Sequence, residues 1–220
     1  MNYVLGMPTQ STPKQATELR QASLVAAALE LAAQRSPAEV TTADLAQAVG
    51  ITQGAVFRHF ESKAAIWLAV LDAVHDDLLA RLRAAADEQA EPLSALRAVF
   101  MAHVEFVVEQ PGVPRVVFQE LQHPEDTPLK ARVQRLMQDY RALVTGLLQQ
   151  ALAARRLIPG TDLQATAVLF LGSVQGLVMQ SLLSGRVDTI RTLAPAVFDL
   201  VQNAIAAPPA RTRRRQEIPA

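Results

Sequence analysis

At 220 residues the chain can hold one large or two modest domains with a real core, and half of it is hydrophobic with only nine glycines, which favours packed helices. It has no cysteine, so disulfides, thiolate catalysis and Cys-ligated zinc are excluded. Lys+Arg and Asp+Glu both number 21, so the broad basic footprint of a nonspecific nucleic-acid binder is missing.

The opening MNYVLGMPTQSTP has neither the basic start nor the apolar centre of a signal peptide, so residues 1–13 are expected to be a flexible start on a cytoplasmic protein. A first helix is predicted over about 14–34, with Leu24, Ala28 and Leu31 on one face. Pro37 breaks it, and Thr41 followed by Asp44 forms a capping-box variant that starts a second helix. Gly50 ends that helix, Thr52 caps a third, and Ser62 caps a fourth. On the fourth, Ile66, Val70, Val74 and Leu78 recur every four residues, widened by Trp67 and Leu71, and the pattern runs past Arg81.

Breaks at Glu91-Pro92, Pro111–Pro114 and His123–Pro128 delimit helices of about 92–109, 114–122 and 127–155. Thr161 or Asp162 caps the next, through about Ser184, where Gly185 stops it, and a last helix covers about 188–206. The apolar run Ala165–Met179 is interrupted by Thr166, Ser173 and Gln175 and falls short of the roughly 20 residues a membrane span needs, so it is expected to be a buried helix. No segment alternates with period two. The fold class is therefore all-α with about nine helices. The tail from 207 to 220 carries Arg211, Arg213, Arg214 and Arg215 and is expected to be a disordered basic segment.

Residues 42–63 carry the chemistry. Ala46 stands four residues before Gly50, Ile51 follows, and Val56 falls five further on, which suits two short helices meeting at a tight turn. A small residue at 46 lets the backbones approach. Gly50 takes the left-handed conformation without steric cost, while Leu45, Val49, Ile51 and Val56 form an apolar wedge. Any αα-hairpin wants such features; the stretch Val56-Phe-Arg-His-Phe60 followed by Glu-Ser-Lys63 is what distinguishes this one.

With Thr41, Thr42, Leu45, Ala46, Gly50, Ile51, Thr52, Gly54, Ala55, Val56, Phe57, His59, Phe60, Ser62 and Lys63 in register, residues 14–75 closely resemble the TetR family of bacterial transcriptional repressors. The resemblance implies a helix-turn-helix DNA-binding domain over 14–62, followed by a helical effector-binding and dimerisation domain over 63–206. It also implies phosphate contacts from Thr42, His59 and Lys63. Where many relatives present a tyrosine hydroxyl to a phosphate, this chain has Phe57, leaving only apolar contact.

Base reading needs short or bidentate side chains at the start of the recognition helix. Gln53 fits, since its amide both donates and accepts; Gly54 and Ala55 allow close approach, with Ala55 able to touch a thymine methyl. Thr52 caps beside them, and Arg58 either reaches the backbone or pairs with an acidic neighbour.

In the C-terminal body, Val168, Leu171, Gly172, Gln175 and Met179, with Val197, Leu200 and Val201, are candidates for a homodimer interface of the last two helices. Met101, Phe106, Phe118, Met137, Phe170 and Met179 could line an effector pocket, with His103 or Gln175 as its polar group; core packing is the commoner role for Met and Phe at such spacing. His75, His103 and His123 form no metal pattern, no cofactor is implied, and no nucleophile–base pair or phosphate loop supports an enzyme. The expectation is a ligand-responsive repressor that binds a palindromic operator in double-stranded DNA, with no membrane role. Two alternatives stand beside it: a DNA-binding protein of the same fold without small-molecule control, and a helical lipid-binding protein with a vestigial head.

Overall fold

The computed structural model describes residues 13–208. The expected flexible start through residue 12 and the arginine-bearing tail from 209 lie outside the described residues. Within them the chain forms nine α-helices and no named strand: α1 Pro13–Gln34, α2 Thr42–Ala48, α3 Gln53–Val56, α4 Lys63–Asp87, α5 Pro92–Glu109, α6 Gly112–Leu121, α7 Pro128–Ala153, α8 Leu163–Ser184 and α9 Thr189–Ile205. The all-α expectation holds.

Local chemistry accounts for most of the boundaries. Thr41 Oγ1 accepts from the Asp44 N–H at 3.1 Å while the Asp44 carboxylate accepts from the Thr41 N–H at 2.8 Å, completing a capping box on α2. Thr52 caps α3 through the Ala55 N–H, and Ser62 caps α4 through the Ala65 N–H. Asp162 accepts from the N–H groups of Gln164 and Ala165 at the start of α8. Gly50 and Gly185 both sit at φ +68°, the left-handed region where a side chain would be strained. One start was misplaced. Helix α6 begins at Gly112 and not at Pro114, because proline is tolerated in a first turn, where its missing N–H has no intrahelical acceptor.

The helices distribute between two compact units, each interrupted in sequence. One runs through Ala80 and takes in Phe106–Gln138; the other joins Arg81–Glu105 to Asp139 onward. In the first, Leu24 and Ala28 of α1, Leu45 of α2, Val56 of α3 and Ile66 and Val70 of α4 have no exposed surface. Helix α6 lies against α1 so closely that a Cβ on Gly112 would stand 2.2 Å from the Leu29 carbonyl oxygen. Beside that seam, Gln119 Oε1 accepts from the Ala38 N–H at 3.0 Å.

In the second unit α8 packs along α9. Val174, Leu177 and Val178 of α8 and Ile190, Ala194, Phe198, Val201 and Ile205 of α9 are buried, with a spacing of three and four that puts each set on one helical face. Phe100, Phe170 and Phe198 meet mutually with ring centroids 5.4–6.3 Å apart, and Tyr140 stacks edge-on to Phe170. The guanidinium of Arg97 lies over Phe198 and pairs with Asp199. Helix α8 is long and apolar enough to cross a membrane by composition, but only 44% of its most apolar window is buried. The expectation of a buried helix therefore holds for one face only.

Candidate nucleic-acid interface

The second and third helices are braced from α1. Arg20 donates to the Val49 carbonyl at 3.4 Å, at the end of α2, and Gln21 Nε2 donates to the His59 carbonyl at 2.9 Å, just past α3. Neither brace was legible in the sequence, since both join residues about thirty or more positions apart. Below them Leu45, Ala46 and Val56 are buried, while Val49 and Ile51 close the wedge half-buried. The Asp44 carboxylate also pairs with Arg35 at 2.9 Å. Hydrogen bonds from the Thr41 hydroxyl and N–H, then from Arg35, hold the Asp44 pKa down at about 2.

Helix α3 is a single short turn. Its track continues through hydrogen bonds from the N–H groups of Arg58 to Ala55 and of His59 and Phe60 to Val56. That geometry presents Thr52, Gln53, Gly54, Phe57 and Arg58 to the outside. Ala55 is a correction: it is only 7% exposed and faces the protein core, so it is not available to a thymine methyl. Gly54 has open space where a Cβ would stand and no positive φ, so nothing within the fold requires a glycine there.

Thr42 and Gln53, assigned separate roles from sequence, touch each other: Gln53 Nε2 donates to Thr42 Oγ1 at 2.8 Å. Lys63 Nζ donates to the Ala38 carbonyl at 2.9 Å, so the amine expected at a phosphate is held by the backbone of the α1–α2 connection. His59 is half-buried, with Nδ1 enclosed and without a hydrogen-bond partner.

The residues expected to line an effector pocket fall in both units. Phe106, Phe118 and Met137 belong to the first unit, and Met101, His103, Phe170, Gln175 and Met179 to the second. Phe106 and Phe170 are core residues at 1% exposure. Gln175 and Met179 are exposed on the outer side of α8, so they are corrected from pocket lining to surface. His103 does find a polar partner, its Nδ1 lying 3.1 Å from the Tyr140 hydroxyl. Loss of hydration around that pair lowers the His103 pKa to about 4 and raises that of Tyr140. A different cleft, of about 340 Å³, opens in the first unit between α4 and α7; it is lined by Leu71, Asp72, His75, Asp76, Arg132 and Arg135 and bridged by an Arg132–Asp72 ion pair at 3.2 Å.

The outer side of α8 and α9 differs from the sequence expectation in register. Leu171 and Val201 are buried in their own unit, while Val168, Gly172, Gln175, Met179 and Leu200 are exposed and Val197 is half-exposed. Leu169, Leu183 and Leu193 join them, unforeseen, with Leu183 at 74% and Leu200 at 72% exposure.

Two capped helices meeting at a left-handed glycine, with the second one's leading polar edge turned outward, define a helix-turn-helix DNA-binding protein. Comparison with known proteins sharpens the class. Residues 24–70 match the family model for bacterial regulatory proteins of the tetR family, and residues 90–197 match the tetracyclin repressor-like C-terminal domain. The chain belongs to the TetR family and is a DNA-binding transcription regulator.

Among curated proteins it is 29% identical over 161 residues to the nucleoid occlusion factor SlmA of Vibrio cholerae, covering 71% of this chain and 80% of that one. Among solved structures, a TetR transcriptional regulator from Chloroflexus aurantiacus superposes with a TM-score of 0.75 at 18% identity, over 88% of this chain and 99% of that one. FadR of Bacillus subtilis, solved in complex with stearoyl-CoA, gives 0.73 at 17% identity, over 84% and 98%.

Proposed function

We propose that the protein is a ligand-responsive repressor that binds a palindromic operator as a homodimer in the cytoplasm. The observation that carries this reading is the outward edge of α3, where Gln53 and Gly54 stand exposed on a turn fixed by the Thr52 cap and the Gln21 brace. Gln53 would read a base in the major groove, with Phe57, Arg58, His59 and Lys63 along the neighbouring backbone. Lys63 would exchange its carbonyl partner for a phosphate, a charge-assisted and stronger bond. A second copy would cover the apolar outer side of α8 and α9, placing two recognition helices about 34–36 Å apart.

An effector would release the operator by binding one conformation better than the other. Selection of bound duplexes from a random pool tests the core of the proposal: a two-fold symmetric consensus is expected, and an asymmetric or featureless pool would overturn it. Long-chain acyl-CoA and ketosteroids are reasonable first effector probes, because one similarly folded regulator was solved with stearoyl-CoA and another, KstR2 of Mycobacterium tuberculosis, is a ketosteroid regulator.

A second reading, a DNA-bound factor without small-molecule control, is supported by the curated relatives being nucleoid occlusion factors and by the closely packed aromatic core of the second unit. It predicts a symmetric operator whose affinity no effector probe alters.

A further inference from the structure

We infer that Thr42 is a positioning residue for base recognition: its hydroxyl relays a DNA phosphate contact to the Gln53 amide and thereby sets which way that amide faces. The inference rests on the readings of Gln53 as the base-contacting residue and of Thr42 as a phosphate contact.

The observation is the 2.8 Å bond from Gln53 Nε2 to Thr42 Oγ1, which joins the first residue of α2 to the first residue of α3 across the turn. Thr42 is half-buried and Gln53 exposed, so the pair sits at the rim of the outward edge. A hydroxyl has one hydrogen to give and two lone pairs to accept with. Alone with Gln53, Thr42 could serve the amide in either sense, accepting from the NH2 group or donating to the carbonyl oxygen.

A phosphate removes that choice. It only accepts, so a phosphate at Thr42 takes the hydroxyl hydrogen and leaves Oγ1 solely as an acceptor. The side of the Gln53 amide that faces Thr42 must then be the NH2 side. One amide hydrogen is spent on Thr42, while the other hydrogen and Oε1 remain for the base.

A donor beside an acceptor is the pattern that fits adenine, whose N7 accepts and whose N6 donates. The chain phosphate–hydroxyl–amide–base runs in one direction, and each bond polarises the next. Phosphate contacts ordinarily position a protein without carrying sequence information. Here one such contact would also fix the orientation of the reader, coupling affinity for the backbone to discrimination at one base pair.

The test measures operator binding to the selected duplex and to duplexes substituted at the Gln53 position, using full-length wild type, T42V, T42S and Q53A. Valine keeps the shape of threonine and removes the hydroxyl; serine keeps the hydroxyl. T42V should lower discrimination at the Gln53 base pair about 10-fold, T42S should restore it, and other positions should keep their preferences. In the Q53A background, T42V should weaken all duplexes equally and leave the remaining preferences unchanged.

If Q53A relaxes one position while T42V weakens every duplex uniformly, the relay is refuted and Thr42 is a phosphate contact alone. If Q53A relaxes no position, the reading of Gln53 itself fails. Circular dichroism keeps misfolding apart from both outcomes, and a T42V protein that does not fold is replaced by T42A in the same comparison.

Discussion

Two surfaces of this protein break the rules of a well-covered fold, and they break them in opposite ways. The edge formed by α3 and the start of α4 is polar, and its side chains are already engaged: Gln53 with Thr42, Lys63 with the Ala38 carbonyl. The outer side of α8 and α9 is apolar and bare, with Leu183 and Leu200 about three-quarters exposed. A surface meant for DNA can hold its groups in internal hydrogen bonds and exchange them, since each bond given up is replaced by one to the nucleic acid. A surface meant for another protein gains by removing hydrocarbon from water, so its groups stand open until the partner arrives.

The largest effect should come from putting a charge on the bare face. Leu200→Glu would place two carboxylates, one per copy, where burial of each leucine would be worth about 1.5–3 kcal/mol. Dimer affinity should fall by about 100-fold or more, read by light scattering, with operator binding lost in parallel; an unchanged dimer would move the interface elsewhere. On the polar edge the effects should be smaller and selective. Gln53→Ala should cost about 1–3 kcal/mol and relax a single operator position, whereas Lys63→Ala should weaken all sequences alike and flatten the salt dependence. Competition binding at several ionic strengths separates the two.

Gly54→Ala sharpens the contrast, because fold and function should move in opposite directions. Alanine fits the open space and favours a helix by roughly 0.5–1 kcal/mol over glycine, so melting temperature should rise while operator affinity drops. A variant that binds normally would show that no close approach occurs there.

A further effect, on stability alone, concerns acid. Asp44 has a folded pKa of about 2 against an ordinary 3.8, so its contribution is fully present above 3.8 and is lost as pH falls towards 2. His103 sits at about 4 against 6.5, so its neutral form favours the fold, and stability should decline as pH falls from 6.5 to 4. Urea titrations of Asp44→Asn and His103→Gln should each flatten their own window.

The parts of this architecture that follow from short-range chemistry were readable in advance. Thr41 with Asp44, Thr52, Ser62, Asp162 and the left-handed Gly50 and Gly185 mark ends of elements within three or four residues of their partners. Facing directions were harder. Leu169 and Leu171 are both apolar and two positions apart on α8, yet Leu171 is buried and Leu169 is exposed. Ala55 likewise turns inward because α3 is one short turn held from α1, a restraint that no local pattern announces.

The seam at Gly112 has a consequence for how the chain tolerates change. Main chain meets main chain there, with 2.2 Å between the Leu29 oxygen and the place a methyl would occupy, so no rotamer can make room. In a saturation library, replacements at 112 should vanish from a screen for cellular abundance, whereas those at 54 should survive it and disappear only under selection for DNA binding. Two glycines would thus trace, in one experiment, the boundary between what the chain needs to exist and what it needs to act.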